Sequence, residues 1–554
     1  MMRYLLLGAV SFVSAFSYGQ SNKFTFKLGA EYELPRKSED LSFFGNDKDG
    51  IVNLSLKKEE LTILRFDPKS LSQSSDKVIP LEDATRNLNS ETVLDFGTNY
   101  FWLHSDWDKS GGKEILYCDK IDVSSGKIVD GNRKLIETTR IAGLSTNNGF
   151  FNIKTTQKYS YDYDADHKKV LVTYRLWPEE KKDKLNYDKI GFYVFDENMT
   201  KLWGGEFSMP YTEAIMDNSD FSMDSQGNGY ILAKVYDSEK RKEKDKETGM
   251  PAYHFEVLKF TKDSKKVITS SISIDDNFIR ETTLIESALH EMLIACTYSK
   301  KSKGKGTDGI FLAQLDASGK VVKYKNGYYE FPLEELTKFE SARSKRRMEK
   351  KDDYEAPNIK VRSVDVLSDG SVFIACEEFY VVEHYNNNNR GIGGFGGVGI
   401  GLGSSNYTYT FYYEDILAAK ISATGQFEWL RKIPKKQRSG SRDSYQKKNP
   451  YRGTMGFKLI SDASGFYFLY LDNKKNMEME DDDVAKYHQD GFGGQVVVAK
   501  LDPKGLLTKA LLFDTREEDV MLFPANFTRI NNTQFVGRAR VKKNIFQPLL
   551  ITVK

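Results

Sequence analysis

The residues that could do chemistry are few, and their spacing argues for binding rather than bond breaking. Six histidines stand at positions 104, 167, 254, 290, 384 and 488. No two share the i, i+4 spacing that puts paired imidazoles on one helix face to hold zinc. No Gly-x-Ser-x-Gly elbow presents a nucleophile. Asp162, Asp164 and Asp166 alternate as calcium-loop ligands do, but His167 stands where such a loop needs glycine, so this is a hairpin turn. The acidic run Glu478–Asp483 is dense in hard oxygen ligands and also lacks that glycine. The sequence therefore predicts no catalytic residue, no metal ligand and no cofactor. Carboxylates that cleave a glycosidic or peptide bond can come from segments far apart in sequence, so a carbohydrate- or peptide-acting enzyme, or a glycan-binding protein, stays as the alternative.

Three stretches carry binding chemistry instead. Residues 391–403 hold eight glycines and five apolar residues, Ile392, Phe395, Val398, Ile400 and Leu402, with no polar side chain. Glycine's backbone entropy forbids a stable helix here, and no strand-to-helix context supports a dinucleotide loop. The run reads as an apolar finger within a loop of about 386–405, its base kept wet by Arg390 and Asn386 to Asn389. A second stretch, Pro332–Glu355, predicts an inserted helix over about 333–355, acidic at its start and carrying Arg343, Lys345, Arg346 and Arg347 later. The third, Arg431–Arg452, includes Lys432, Lys435, Lys436 and Arg438 and only one acid, Asp443. The candidate contact residues are therefore Arg343, Arg346, Arg347, Arg390, Ile392, Phe395, Val398, Ile400, Leu402, Lys432, Lys435, Lys436 and Arg438.

The elements that must position them are repeats. An apolar run after a tight turn recurs eight times, as in Tyr230-Ile231-Leu232-Ala233 and Val372-Phe373-Ile374-Ala375. Each is followed by a strand running into a turn, as in Ala419-Lys420-Ile421 before Ala423-Thr424-Gly425. Repeats of this size, with every unit reading as strands, predict an all-β propeller of eight four-stranded blades, with seven as the alternative. The last unit stops at Leu549–Val553, and Phe24–Leu28 is the natural donor of its missing outer strand. Pairing the two would close the ring and hide two sheet edges. Turns joining first to second and third to fourth strands are short. The other two connections are long, so the long loops should crowd one face, where binding usually lives.

With 81 basic and 79 acidic residues, global charge says nothing about nucleic acid, and it is the secretory signal of residues 1–19 that sets a nucleic-acid partner aside. Cys118, Cys296 and Cys376 are too scattered for a disulfide framework and sit inside apolar strands. Residues 1–19 have the form of a secretory signal: Arg3, an apolar stretch from Leu5 to Phe16, then Ser17-Tyr18-Gly19 before Gln20. That leaves 20–554 as a single propeller domain without a transmembrane segment. The Ser-Tyr-Gly-Gln ending resembles signal peptides of Bacteroidota, and the repeats resemble secreted β-propeller proteins of those bacteria. The fold is also similar to the eight-bladed periplasmic propeller of the outer-membrane barrel-assembly machinery, a non-enzymatic scaffold. This chain departs from that scaffold by its large loops and by having no lipid-anchor cysteine. The resemblance implies a periplasmic interaction module, with the cell surface as alternative location, that docks its loop face on an envelope complex such as an outer-membrane barrel or export translocon.

Overall fold

The second strand of each repeat is where the sequence most firmly dictates structure. Gly465–Asp472 is buried at every position, and Gly229–Tyr236 at every position but one. A short apolar run of this kind belongs in the middle of a sheet covered on both faces. Outer strands alternate instead, as Gln73–Pro80 does between exposed and half-buried residues. In this computed structural model the described residues are 23–554 except 83–86, 140, 143–157, 264–266, 273, 317, 352–353, 386–406, 442–452 and 490–492.

The strands form eight antiparallel blades in chain order, and the alternative of seven is set aside. Strands are lettered a to d within a blade, with the a strands of adjoining blades packed beside one another. Blade 1 begins at Glu39–Asn46, blade 3 at Tyr159–Tyr163, blade 4 at Met216–Met223, blade 5 at Phe278–Glu286 and blade 6 at Ile359–Val366. Blade 7 begins at Lys458–Asp462. Blade 8 takes its three inner layers from the C-terminal region and its outer strand from Phe24–Leu28. That strand pairs antiparallel with Ile545–Val553, with Phe24 opposite Val553 and Leu28 opposite Leu549. The ring thus closes as the sequence predicts, and its innermost layer in blade 8 is broken into Met521–Leu522 and Thr528–Arg529.

The core lies between blades. Phe373 of blade 6 stacks on Phe466 of blade 7 at 3.6 Å between ring centroids, and Phe192 of blade 3 on Phe260 of blade 4 at 4.1 Å. Such rings supply both apolar area and a fixed geometry. The c–d turns are tight. In Asp502–Gly505 the carboxylate of Asp502 accepts from the Lys504 and Leu506 amides, and Gly505 takes φ +81° with Trp429 where a Cβ would stand. The three cysteines are buried and unpaired, and burial pushes the Cys118 and Cys376 thiols up to about 12. They act as small apolar side chains.

Strand order puts every b–c and d–a connection on one face. Those connections include 176–186, 237–252, 331–358, 434–457 and 473–494, whereas the a–b and c–d turns of the other face are short. Two details differ from the sequence reading. The helical insertion is two helices, α1 (Leu333–Thr337) and α2 (Ala342–Glu349). The break comes from Phe339, held at φ +59° with its ring buried and its amide bonded to the Asp481 carbonyl at 2.8 Å. Second, the b and c strands of blade 6 run much further than predicted, over Val372–Tyr385 and Tyr407–Ile421. Their outer halves form a ribbon that leaves the blade. It is widened by Gln437–Ser441, which pairs with Tyr409–Tyr413, and by His488–Gln489, which runs parallel to Gln437–Arg438. The Gly-rich stretch 391–403, with Arg390, Ile392, Phe395, Val398, Ile400 and Leu402, lies outside the described residues.

Candidate functional site

Two clusters have the residue types of a site, one on each face. On the plain face the a–b turns of blades 3, 4 and 5 meet at Glu286. Its carboxylate accepts from the Ser225 amide at 2.8 Å, the Ala165 amide at 2.9 Å and the Ser225 hydroxyl at 2.5 Å. His290 Nδ1 lies 2.9 Å from Ser225 Oγ, and its Nε2 lies 3.8 Å from Asp166. Serine, histidine and aspartate together suggest nucleophilic catalysis, but the serine proton already points at Glu286 rather than at the imidazole. The Glu286 carboxylate is taken up by two backbone amides and a hydroxyl from the turns of two other blades, so the geometry is that of a clamp between blades. The sequence reading missed this cluster, since its members come from three separate turns.

The decorated face gathers more. The d strand of blade 6, Phe427–Ile433, and the segment after it run between the helical insertion and the ribbon. Here Lys432 is buried: its amide donates to Glu335 at 2.9 Å, and its ammonium to Glu340 at 2.8 Å and Asp415 at 3.1 Å. Lys435 is fully buried and donates to Glu377 at 2.8 Å, to the Tyr413 carbonyl and to Gln437. Arg362 reaches the other Glu377 oxygen at 2.9 Å. Burial alone would push the Glu377 carboxyl up, but Lys435 and Arg362 outweigh it and hold it below the usual range. Neighbouring Glu378 feels the charges of Lys432 and Lys436, but they do not outweigh its surroundings. Burial first, then the charges of Glu414 and Asp415, push it well above the carboxylate range.

Lys432 and Lys435 therefore are not surface contacts: they are the cationic halves of internal ion pairs. Lys436 and Arg438 are half-buried. Lys436 sits 3.9 Å from Glu414, and both place their charges over the Tyr487 ring. Glu414 accepts from Tyr380 at 3.0 Å and from Tyr487, tying the ribbon to the 473–489 loop. Tyr380 stacks on Tyr412 at 4.6 Å across the ribbon, and Phe379 lies 4.8 Å from Tyr413. Over its described residues, 431–441, the predicted basic tract is mostly mortar.

The arginines of α2 are the opposite. Ser341 caps the helix by accepting from the Ser344 amide at 3.2 Å. Met348 is buried in the core, and Lys345 is tied to Asp482, which brings the acidic run of the blade 7 loop against the helix. Arg343, Arg346, Arg347, Lys350 and Lys351 face outward without an acidic or hydrogen-bonding partner among the described residues. With Ala342 they line a shallow groove of about 600 Å³. The spacing i, i+3, i+4, i+7 puts four of these cations along one side of the helix.

Among the described residues His254, His384 and His488 join no cluster that could hold a metal ion. His488 is buried, and burial followed by the Arg516 charge pushes it down to about 4. His254 faces Glu256 at 3.2 Å on blade 4, and His384 is exposed on the ribbon. Among the described residues no cluster of His, Cys, Asp or Glu could hold a metal ion.

No family model matches the chain, and no curated protein matches it. Solved structures do. The WD40 domain of SCAP from fission yeast covers 98% of this chain and 97% of its own, at 8% identity and TM-score 0.36. The β-propeller domain of the Trilobed protease from Pyrococcus furiosus covers 72% of this chain and 96% of its own, at 11% identity and TM-score 0.29. Pyrococcus horikoshii acylaminoacyl peptidase matches 90% of this chain at 10% identity and TM-score 0.33, and the chain spans 55% of that enzyme. Likenesses this remote assign no activity. Among the described residues no helix is long and apolar enough to cross a membrane.

Proposed function

We propose that this chain is a non-catalytic interaction module, exported to the periplasm, that docks the blade 6–7 corner of its decorated face on an outer-membrane complex such as a barrel or export translocon. The observation that carries the reading is the contrast within that corner. Internal ion pairs and stacked tyrosines make it stiff, and the α2 cations are left open on it. A rigid scaffold presenting unneutralised charge suits electrostatic steering toward an acidic partner. The residues 1–19 signal supports export, and the Gly-rich segment 391–403, between the ribbon's two strands in sequence, supplies apolar material for the contact.

The test is co-purification from native membranes with mass spectrometry. The parent chain is compared with Arg343→Glu/Arg346→Glu/Arg347→Glu and with a chain lacking residues 391–403. Capture of a common outer-membrane complex by the parent, lost or weakened about tenfold by the charge reversal, supports the reading. Equal capture by all three chains overturns it.

A further inference from the structure

Among the described residues, the ribbon of blade 6 has one edge that no strand covers. On its outer side Tyr409–Tyr413 is covered by Gln437–Ser441. On its inner side, strand a pairs with strand b only as far as Ile359 opposite Glu378, and the Asn358 carbonyl takes the Phe379 amide at 3.0 Å. From Tyr380 to His384, strand b pairs with strand c on one side and with no strand on the other among the described residues. Natural edges are blunted by lysine, proline, bulges or brevity. This one, Tyr380-Val381-Val382-Glu383-His384, is β-branched and aromatic, with one acid and neither lysine nor proline, and the bulge in its pairing with strand c lies before it, at Glu377/Phe379. The Tyr380–Tyr412 stack and the Tyr380–Glu414 hydrogen bond tie its inner end to strand c, which lowers the ordering entropy left to be lost on pairing.

The open edge lies beside the open charge. Tyr354, between α2 and strand a in sequence, packs against the cluster that joins Met348 of α2 to Ile359 of strand a and Cys376 of strand b. A chain laid along the edge would therefore run toward the α2 cations, whose own helix offers Glu349 as its sole acid. We infer that the Tyr380–His384 edge accepts an extended acidic segment of a partner protein as an added strand. Main-chain hydrogen bonds supply the affinity, and Arg343, Arg346, Arg347 and Lys350 select the carboxylates. This rests on the docking reading above and names its mode and the chemistry of the partner's segment.

The test uses the full chain and synthetic peptides of about ten residues, long enough to pair with the edge and reach α2. One alternates Val and Glu, one alternates Val and Lys, and a third is the Val-Glu peptide N-methylated at every second amide in each of its two phases. Binding is read by fluorescence anisotropy, and edge pairing by amide hydrogen exchange. Saturable binding of the Val-Glu peptide, exchange slowed about tenfold or more at 380–384, and loss of binding in one N-methylated phase establish the added strand. Weaker binding to Arg346→Glu/Arg347→Glu establishes the selection by charge. Binding indifferent to N-methylation, protection confined to α2, or equal binding of the Val-Lys peptide overturns the inference while leaving the docking reading standing. Protection of 380–384 in the parent alone, rising with its own concentration, also overturns it, because the edge is then filled by a second copy. Peptide binding as described without any envelope complex in the membrane capture breaks the docking reading and keeps the edge site.

Discussion

The two faces of the ring use charge and hydrogen bonds in different ways. On the plain face, polar groups at the turns sew neighbouring blades together. Glu286 binds two blades to a third, Asn531 reaches Asp47 across the closure at 2.8 Å, and Asn326 meets the Gly425 carbonyl at 2.6 Å. On the decorated face the insertions first neutralise one another and then leave a remainder. Lys432 and Lys435 are absorbed and Lys345 is absorbed, but the outward cations of α2 have no acidic partner among the described residues. The lesson is that a basic run in a sequence is not yet a basic surface. What counts is the charge left after the fold has paired what it can reach.

The sharpest way to break this contrast is Lys435→Met. If Lys435 is mortar, its loss leaves Glu377 buried beside Arg362 alone, which should lower the free energy of unfolding by about 3–5 kcal/mol. Urea unfolding measures it. A change under about 0.5 kcal/mol would put Lys435 among ordinary surface residues and dissolve the distinction.

The plain-face clamp should come next. Glu286→Ala strands the Ser225 and Ala165 amides and frees the Ser225 hydroxyl, at a cost of about 1–3 kcal/mol. Ser225→Ala removes only the hydroxyl contact and should cost less. If the cluster were instead catalytic, Ser225→Ala would leave stability alone and abolish some ester or peptide hydrolysis by the parent chain.

Much of this architecture is legible in the residues, for physical reasons that differ by element. The buried second strands announce themselves because a strand covered on both faces must be apolar throughout, as Gly465–Asp472 is. The ring closure follows because an eighth unit ending at Val553 lacks an outer strand and Phe24–Leu28 can supply it. The ribbon was harder. Tyr407 to Tyr413 is rich in strand-forming residues, a signal that could have found it, but it adjoins a glycine run that reads as loop. The fate of Lys432 and Lys435 could not be read locally at all, since Glu340 and Glu377 lie 92 and 58 residues away in sequence. The helix insertion failed for a similar reason: Phe339 is drawn out of helical geometry by Asp481 of another blade.

The axis offers a pH test of whether inner strands carry strain that the faces do not. Asp162 of blade 3 is pushed up to about 8, by burial first and then by the nearby Asp220 of blade 4. Asp220 itself is pushed up to about 6 by burial, despite hydrogen bonds from Leu284 and Thr283. A carboxyl raised in the folded state favours folding fully below its unfolded pKa, near 3.8, and that contribution is lost as pH rises toward 8. Stability should therefore fall between about pH 4 and pH 8, with a slope from this one group of at most about 1.4 kcal/mol per pH unit. Asp162→Asn should flatten that slope, leaving the variant more stable than the parent at pH 8 and nearly equal to it at pH 4. Unfolding by urea across that range decides the matter; an unchanged slope would mean that the axis is well solvated around Asp162.

The smallest effect on stability is the most telling for function. Arg343, Arg346 and Arg347 have no partners among the described residues to lose, and α2 is held by Met348, the Ser341 cap and Lys345 instead. Charge reversal at all three should change the free energy of unfolding by less than about 1 kcal/mol, with the loss of favourable charge near the helix C-terminus as its main component. The same substitutions should weaken membrane-complex capture about tenfold and make what remains insensitive to salt, since screening acts on exposed charges and spares the buried pairs at Lys432 and Lys435. A triple variant that unfolds easily would place these arginines among the mortar with Lys435. A stable variant with undiminished, salt-sensitive capture would move the steering charge elsewhere on the ring.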